Sequence, residues 1–421
     1  MRQINEKNRQ LSTILAFTLI PMSGLATDVY IPSFPEMAQV FHTSHADIQR
    51  TMIFFFVSYG ISQFFVGTVL DSFGRYRLNL LSLLVFTLSN FVIVYTRDIH
   101  MVYAMRIIQG ICTAFIVVGK RAFFVDVYTG EKQKQFTSML TVVWATAPII
   151  APFLGGYLQK SFGWASNFYL LGIYGALILL LESLFSGESL KVKQPFHPGA
   201  VMGVYKKLLT SADFSSGILV LGLSYTMVML FTMSAPFIVE HRFHLTPVTT
   251  GYCALFSGMS LLIGGTIGRT LRGGSLYKKL FTANILQCVL IVAMYVTGLF
   301  WSDLVLMMSF VVLIHILGGF MYNLFFTYCL TRFPMNAGVA GGVTSGGSYL
   351  VTSVGSTVVL AVITVTSQQS LAVGYLVMAL LVTGMLVSLM VRKETRVAEE
   401  QVKGADKVAE RAEAQQVLNF D

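Results

Sequence analysis

Long stretches without any charged residue restrict this chain more than any other feature. Residues 78–95 and 371–391 are the clearest, since neither contains an Asp, Glu, Lys or Arg. A helix needs roughly 20 mainly apolar residues to cross the hydrocarbon of a bilayer. Only helices and closed barrels can satisfy their own backbone polar groups there. A barrel would show alternating segments of ~10 residues, and these runs do not alternate. Composition agrees: 12% of the residues are charged and 55% are apolar, against about 25% charged in soluble domains. Mean hydropathy is +0.69. The expected fold is an all-α membrane protein.

Twelve transmembrane helices are read, near 11–32, 48–69, 78–96, 101–123, 137–158, 165–186, 214–236, 248–268, 280–299, 304–328, 338–364 and 371–391. The longest connection, 187–212, divides them into two six-helix halves. The expected organisation is a cytoplasmic N-terminal segment 1–10, a first half 11–186, a cytoplasmic central loop 187–212, a second half 213–391 and a cytoplasmic tail 392–421. The net charge of +9 would suit nucleic acid, but its distribution argues for topology and against a nucleic-acid partner. With the N-terminus in the cytoplasm, 24 of the 29 Lys and Arg residues fall on the cytoplasmic side. Arg50, Arg97, Lys160 and Arg242 fall outside, and Arg106 lies within a span. This is the positive-inside pattern of an inner-membrane protein with both termini cytoplasmic.

The N-terminus could pass for a cleaved signal peptide, with a charged start, an apolar stretch and Gly24-Leu25-Ala26 as a cleavage site. An internal repeat argues against it. At an offset of 201, Gly67, Leu70, Tyr76 and Arg77 match Gly268, Leu271, Tyr277 and Lys278, while Ser33 and Pro35 match Ser234 and Pro236. The first span thus has a counterpart in the seventh. Parallel six-span halves are one repeat pattern of secondary transporters, whose substrate site lies between the halves near mid-membrane.

Charged residues inside a span cost about 2.5–3.5 kcal/mol on insertion scales and are functional candidates for that reason. Asp28, late in span one, and Arg106, early in span four, should lie at similar depth and could share one cavity. Asp28 could bind a proton or a cationic group; the alternatives are a structural ion pair or a helix-end carboxylate reached by water. His315 in span ten reads as a satisfied core histidine or a proton relay. Tyr30, Phe34, Tyr59 and Phe237 could line an apolar cavity. Glu182, near the cytoplasmic end of span six, is explained by snorkelling. The outer pairs His42/His45 and His241/His244 lack metal-ligand spacing. Cys112, Cys253, Cys288 and Cys329 form no CxxC pair and read as packing residues. No P-loop, catalytic triad or metal cluster is seen, so neither an enzyme nor a cofactor is expected.

Loop 2–3 contains Gly67, Asp71, Gly74, Arg75 and Arg77. Its glycines permit a tight turn. Asp71 can meet a helix N-terminus and Arg75 a carboxylate, forming a conformational latch; the alternative is a basic turn that only sets topology. Span five carries Pro148, Pro152, Gly155 and Gly156, which implies a kinked helix with a flat face. Gly338, Gly342 and Gly346 form a small-residue face in span eleven. Packing is the simpler role of both runs, and a hinge is compatible with it.

Loop 2–3 resembles the signature of the major facilitator superfamily, with Ser72 where an Arg is usual. Arg106, Gln109 and Gly110 resemble its span-four R-x-x-Q-G motif, associated there with proton coupling, and the span-five run resembles its antiporter motif. Thr27-Asp28-Val29-Tyr30-Ile31-Pro32-Ser33-Phe34-Pro35 resembles a stretch of bicyclomycin- and chloramphenicol-resistance-type exporters. The resemblance covers nearly all of 11–391. It implies the major facilitator fold and a monomer in the bacterial inner membrane. It further implies proton-coupled export of small amphipathic compounds, with protons, a small-molecule substrate and the lipid bilayer as partners. A dedicated metabolite or siderophore transporter of the same fold, or a non-transporting membrane receptor, are the alternatives.

Overall fold

The computed structural model describes residues 3–4, 6–193, 195, 198–271, 273–333 and 337–392. The expected tail beyond Arg392 lies outside the described residues, as do Arg2 and Arg272 of the charge count. Among the described residues the regular structure is helical, apart from one bridge between Gln3 and Glu188.

The first crossing is not one helix. It runs as α1 (Glu6–Leu19), α2 (Met22–Asp28), a 3-10 turn (Ile31–Ser33) and α3 (Phe34–Val40). Pro21 separates α1 from α2. Pro32 and Pro35 stand in the first turns of the two later pieces, where a missing N–H leaves nothing unpaired. The apolar segment therefore continues to Val40, eight residues past the expected end near 32.

The remaining crossings are long helices. The first half holds α4 (His45–Phe73), α5 (Arg75–Tyr95), α6 (Ile99–Val127), α7 (Gly130–Phe162) and α8 (Ala165–Phe185). A linker helix, α9 (Pro198–Leu209), follows. The second half holds α10 (Ala212–Phe237, extended by a π turn to Arg242), α11 (Pro247–Thr270), α12 (Leu276–Phe300), α13 (Leu304–Arg332), α14 (Ala337–Val362) and α15 (Gln368–Arg392). Eleven of these segments are long and apolar enough to span a bilayer, and α7 takes the place of the expected fifth span. Helix starts follow local chemistry. Ser44 and Asp47 form a reciprocal capping box before α4, and Asp98 and Asp303 cap α6 and α13.

The halves meet along two seams, α4 against α14 and α7 against α11. The α7–α11 seam is tight at its Pro247 end and in its middle, where Cβ atoms on Gly251 and Gly258 would each lie 2.9 Å from α7. A Cβ on Gly60 would lie 3.0 Å from the carbonyl of Gly346, and one on Gly342 would lie 3.1 Å from that of Gln63. Further along the same seam, no atom of the described residues lies within 4 Å of a Cβ position on Gly67 or Gly338. The halves therefore separate toward the end that carries Arg75, Lys120 and Arg121, here termed the basic end. Of the small-residue face of span eleven, Gly342 and Gly346 thus pack against α4, while Gly338 does not.

The central connection is more ordered than a loop. Ser186 and Glu188 are buried against the first half, and Ile4 N–H donates to the Glu188 carbonyl at 3.2 Å. In α9, Tyr205 and Leu208 turn inward while Lys206 and Lys207 stay exposed. The Tyr205 hydroxyl donates to the Phe64 carbonyl in α4. This helix was missed because it is only three turns long and carries two lysines in its last turn.

Candidate functional site

The break in the first crossing builds the site. Helix α2 ends at Asp28, and the carbonyls of a helix's last turn have no partner within it. Arg106 of α6 takes one of them, its Nη1 donating to the Ala26 carbonyl at 3.0 Å. Nη1 also donates to Gln109 Oε1 at 2.7 Å, and Nε to the Thr51 carbonyl at 3.4 Å. The guanidinium carbon lies 4.5 Å from the Tyr30 ring centroid and 4.6 Å from that of Phe55. Arg106 is fully buried, and neutral groups hold it: carbonyls, an amide and two ring faces. Cation–π contacts are worth about 2 kcal/mol when desolvated.

The spacing of the R-x-x-Q-G run has a direct reading here. Gln109 stands one turn after Arg106, on the same face. Gly110 lets α6 approach α4, since a Cβ there would lie 2.5 Å from the Phe55 carbonyl. Tyr30 is held in place by a 3.0 Å hydrogen bond with Thr51 Oγ1.

Asp28, the last residue of α2, is 6% exposed and forms no ion pair among the described residues. The structure thus brings Asp28 and Arg106 into one neighbourhood without a salt bridge between them. Asp28 opens instead on a small cavity between the halves. Ser23 and Thr27 share its wall on α2, Phe56 and Tyr59 supply it from α4, and Pro148 from α7. Tyr225 of α10 and Tyr349 of α14 close it from the second half. Of the aromatic residues named from sequence, Tyr59 lines this cavity and Tyr30 backs Arg106. Phe34 and Phe237 face each other, with ring centroids 6.2 Å apart, and Phe237 stacks on His45.

Pro148, Pro152, Gly155 and Gly156 lie where α7 touches both halves. A Cβ on Gly155 would overlap the Val29 carbonyl of the first crossing. One on Gly156 would lie 2.6 Å from the Pro247 carbonyl at the start of α11. Pro148 in turn lies beside Gly24, whose Cβ position is 3.0 Å from the proline ring. Here α7 is one continuous helix with both prolines inside it.

His315 stands apart from this site. Its Nδ1 is 2.8 Å from Ser257 Oγ and its Nε2 is 3.0 Å from the Tyr375 hydroxyl. These three residues belong to α11, α13 and α15, inside the second half.

At the basic end, Gly74 turns the chain with φ of +98°. Arg75 pairs with Asp71 at 2.9 Å and with Asp126 of α6 at 2.5 Å. Glu188 sits at the N-terminus of α5, accepting from the backbone N–H groups of Arg75 and Tyr76 at 3.1 and 3.2 Å. That position suits an anion, and Glu188 fills it where Asp71 was expected. Gly67 has an open flank, and Arg77 is exposed. Glu182 corrects another expectation. It does not snorkel: its side chain is fully buried and pairs with Lys120 Nζ at 2.7 Å. Both groups lie inside the first half, where that pairing offsets their desolvation.

Sequence reasoning missed Asp126, Glu188, Lys120, Tyr225 and Tyr349 as participants. For the three charged groups, the only signal was an acid or base standing close to a span end. For the tyrosines there was none.

Comparison with known proteins agrees with this architecture. The sequence profile of the Major Facilitator Superfamily matches residues 16–356. An uncharacterized MFS-type transporter of Bacillus subtilis, YdgK, is 29% identical over 297 residues, covering 69% of this chain and 72% of the relative. A bicyclomycin resistance protein homolog of Haemophilus influenzae is 32% identical over 190 residues, covering 44% of this chain and 47% of the relative. That match spans about half the relative's length. The crystal structure of a D-xylose-proton symporter superposes with a TM-score of 0.66 at 13% identity, over 88% of this chain and 96% of that one. With two six-helix halves, a cavity between them and a family profile over most of its length, this chain belongs to the Major Facilitator Superfamily and is a membrane transporter rather than an enzyme.

Proposed function

We propose that the protein is a proton-coupled exporter of small amphipathic compounds, working by alternating access in the bacterial inner membrane. The observation that carries this reading is Asp28: a buried carboxylate without an ion-pair partner among the described residues, opening on the cavity between the halves beside a carbonyl-held Arg106. Such a carboxylate can hold a proton or a cationic group, but not both. Loading from one side and release to the other then exchanges one for the other as the halves rock. The bicyclomycin resistance homolog supports export as the direction. The basic end is assigned to the cytoplasm by the positive-inside pattern, with both termini there and the protein acting as a monomer.

The test is a pH-gradient assay in everted membrane vesicles. Compounds are added to energised vesicles containing wild-type protein or Asp28→Asn. A compound that dissipates the gradient with the wild type, and at least about tenfold less with Asp28→Asn, is the expected result; tenfold corresponds to ~1.4 kcal/mol. An equal response in both proteins would remove Asp28 from coupling. Silence across a broad drug panel, with inserted protein, would point to a dedicated metabolite carrier.

A further inference from the structure

At the end opposite the basic end, the halves touch through two histidines. His45 opens α4 in the first half, and His241 lies in the π turn that extends α10 in the second. Their ring centroids are 5.1 Å apart. Phe237 joins them: its ring stacks on His45 at 3.9 Å and 16°, and lies 5.9 Å from that of His241. One turn further into α4, Gln49 Nε2 donates to the Met233 carbonyl of α10 at 3.1 Å. Gln49 follows His45 by four residues and Met233 precedes Phe237 by four, so each pair shares a helix face. The two tiers fasten α4 to α10 across the halves.

The tier nearer the surface can change its charge. An unperturbed imidazole takes up a proton near pH ~6.5. His241 is exposed and His45 only partly buried, so solvent protons reach both. Neither lies within ion-pair distance of a carboxylate among the described residues. Asp47, in the first turn of α4, serves Ser44, Thr43 and Arg50. Glu36 of α3 accepts from Gln159 and from the Trp164 N–H. From α6, Tyr103 donates to the Asp47 carbonyl and stands beside His100. Glu240 and Arg242 flank His241 with opposite charges, and His42 and His244 stand in the adjoining turns. Helix α14 contains no Asp, Glu, Lys, Arg or His, and near this end α11 brings only Cys253 and Tyr252, which is bonded to Tyr157. With both imidazoles neutral, the contact is an aromatic stack. With both protonated, it sets two like charges against each other across the halves, and they repel.

We propose that His45 and His241 form a pH-sensitive gate, which releases this end of the cleft when both are protonated. The stack holds the end shut at neutral pH, and acid on this side of the membrane drives α4 from α10. The gate works whatever the protein carries, and it does not require Asp28 to bind a proton.

A distance measurement on the full chain in detergent tests it. Spin labels are placed at Arg97→Cys and Ser302→Cys, on the two halves at this end, with Cys112, Cys253, Cys288 and Cys329 replaced by Ala. Double electron–electron resonance then reads the separation at about pH 7.5 and about pH 5, on either side of the ordinary imidazole pKa. The ratio of separated to closed molecules is expected to rise at least about threefold on acidification, as two unit charges about 5 Å apart produce even at the dielectric constant of water. His45→Gln and His241→Gln should each remove most of that rise, and the double variant no more than either alone, because the repulsion needs both charges. His241→Lys keeps a charge at the exposed position and should retain the rise, which separates charge from packing. Asp28→Asn should retain it too. No rise in the wild type, a rise that survives both Gln substitutions, or one lost in Asp28→Asn would overturn the gate.

Discussion

The two halves share a helix plan and differ in how they use charge. In the first half Asp28, Arg106, Lys120 and Glu182 are all buried. In the second half no Asp, Glu, Lys or Arg is buried among the described residues; its interior polar groups are neutral ones such as Asn284, Gln287 and His315. The repeated loops differ in the same way. Loop 2–3 is tied by Arg75, Asp71, Asp126 and Glu188. At loop 8–9, among the described residues, Lys279 Nζ donates to the Leu271 carbonyl at 2.6 Å and forms no ion pair. A duplicated scaffold has thus kept its buried charges on one side; the second half's own ion pair, Arg332 with Asp213 at 2.7 Å, is partly exposed.

This asymmetry predicts a graded response to substitution. Arg106→Met should have the largest effect. It strips the cation from Ala26, Thr51 and Gln109, and transport is expected to fall by at least about 100-fold, ~2.7 kcal/mol, in vesicle uptake. Retained transport would show that the buried charge is not needed. Lys120→Met comes next. Removing one partner of a buried pair costs about 3–5 kcal/mol, read as a fall in the unfolding temperature in detergent. The double substitution Lys120→Met with Glu182→Leu should recover most of that loss, and failure to recover would mean that the pair does more than neutralise itself.

Glu188→Gln sharpens the loop comparison. The amide oxygen can still accept from the α5 N-terminus, but the charge is gone, so a loss of about 0.3–1 kcal/mol is expected. Hydrogen exchange at 186–190 should rise with it. A matching change at loop 8–9 would contradict the one-sidedness described above. His315→Gln should have the smallest effect. One hydrogen bond is weakened, at about 1 kcal/mol, and transport stays within a few-fold of wild type. A loss as large as that of Arg106→Met would overturn the contrast between the halves.

Some of this was legible in the chain and some was not. Charge-free runs mark the spans because lipid leaves the backbone no other solution. Arg106 stood out as a charge within a span, and Gln109 and Gly110 joined it only through the resemblance to a family motif. The proline breaks of the first crossing were visible at Pro21, Pro32 and Pro35, yet its apolar character continues through them, and it read as one shorter span. Partners on other helices were beyond reach. Lys120 meets Glu182 and Arg75 meets Asp126 only because particular helix faces pack together, and spacing along the chain carries no record of that. Nor could Tyr225 and Tyr349 be chosen from 18 tyrosines without knowing which face of α10 and α14 turns to the cleft.

The carbonyl-held arginine has an electrical consequence. A guanidinium keeps its charge throughout the physiological range, and the groups that hold Arg106 are uncharged. Its positive charge is therefore a constant, and only Asp28 can vary. With Asp28 ionised the two residues sum to zero; with Asp28 protonated they sum to plus one. A membrane potential does work on the second form and none on the first, about 2.3 kcal/mol per 100 mV for a full crossing. Under the proton-coupled reading proposed above, the voltage-sensitive step is the one made with the proton aboard, and the return step is electrically silent unless the substrate adds a charge of its own.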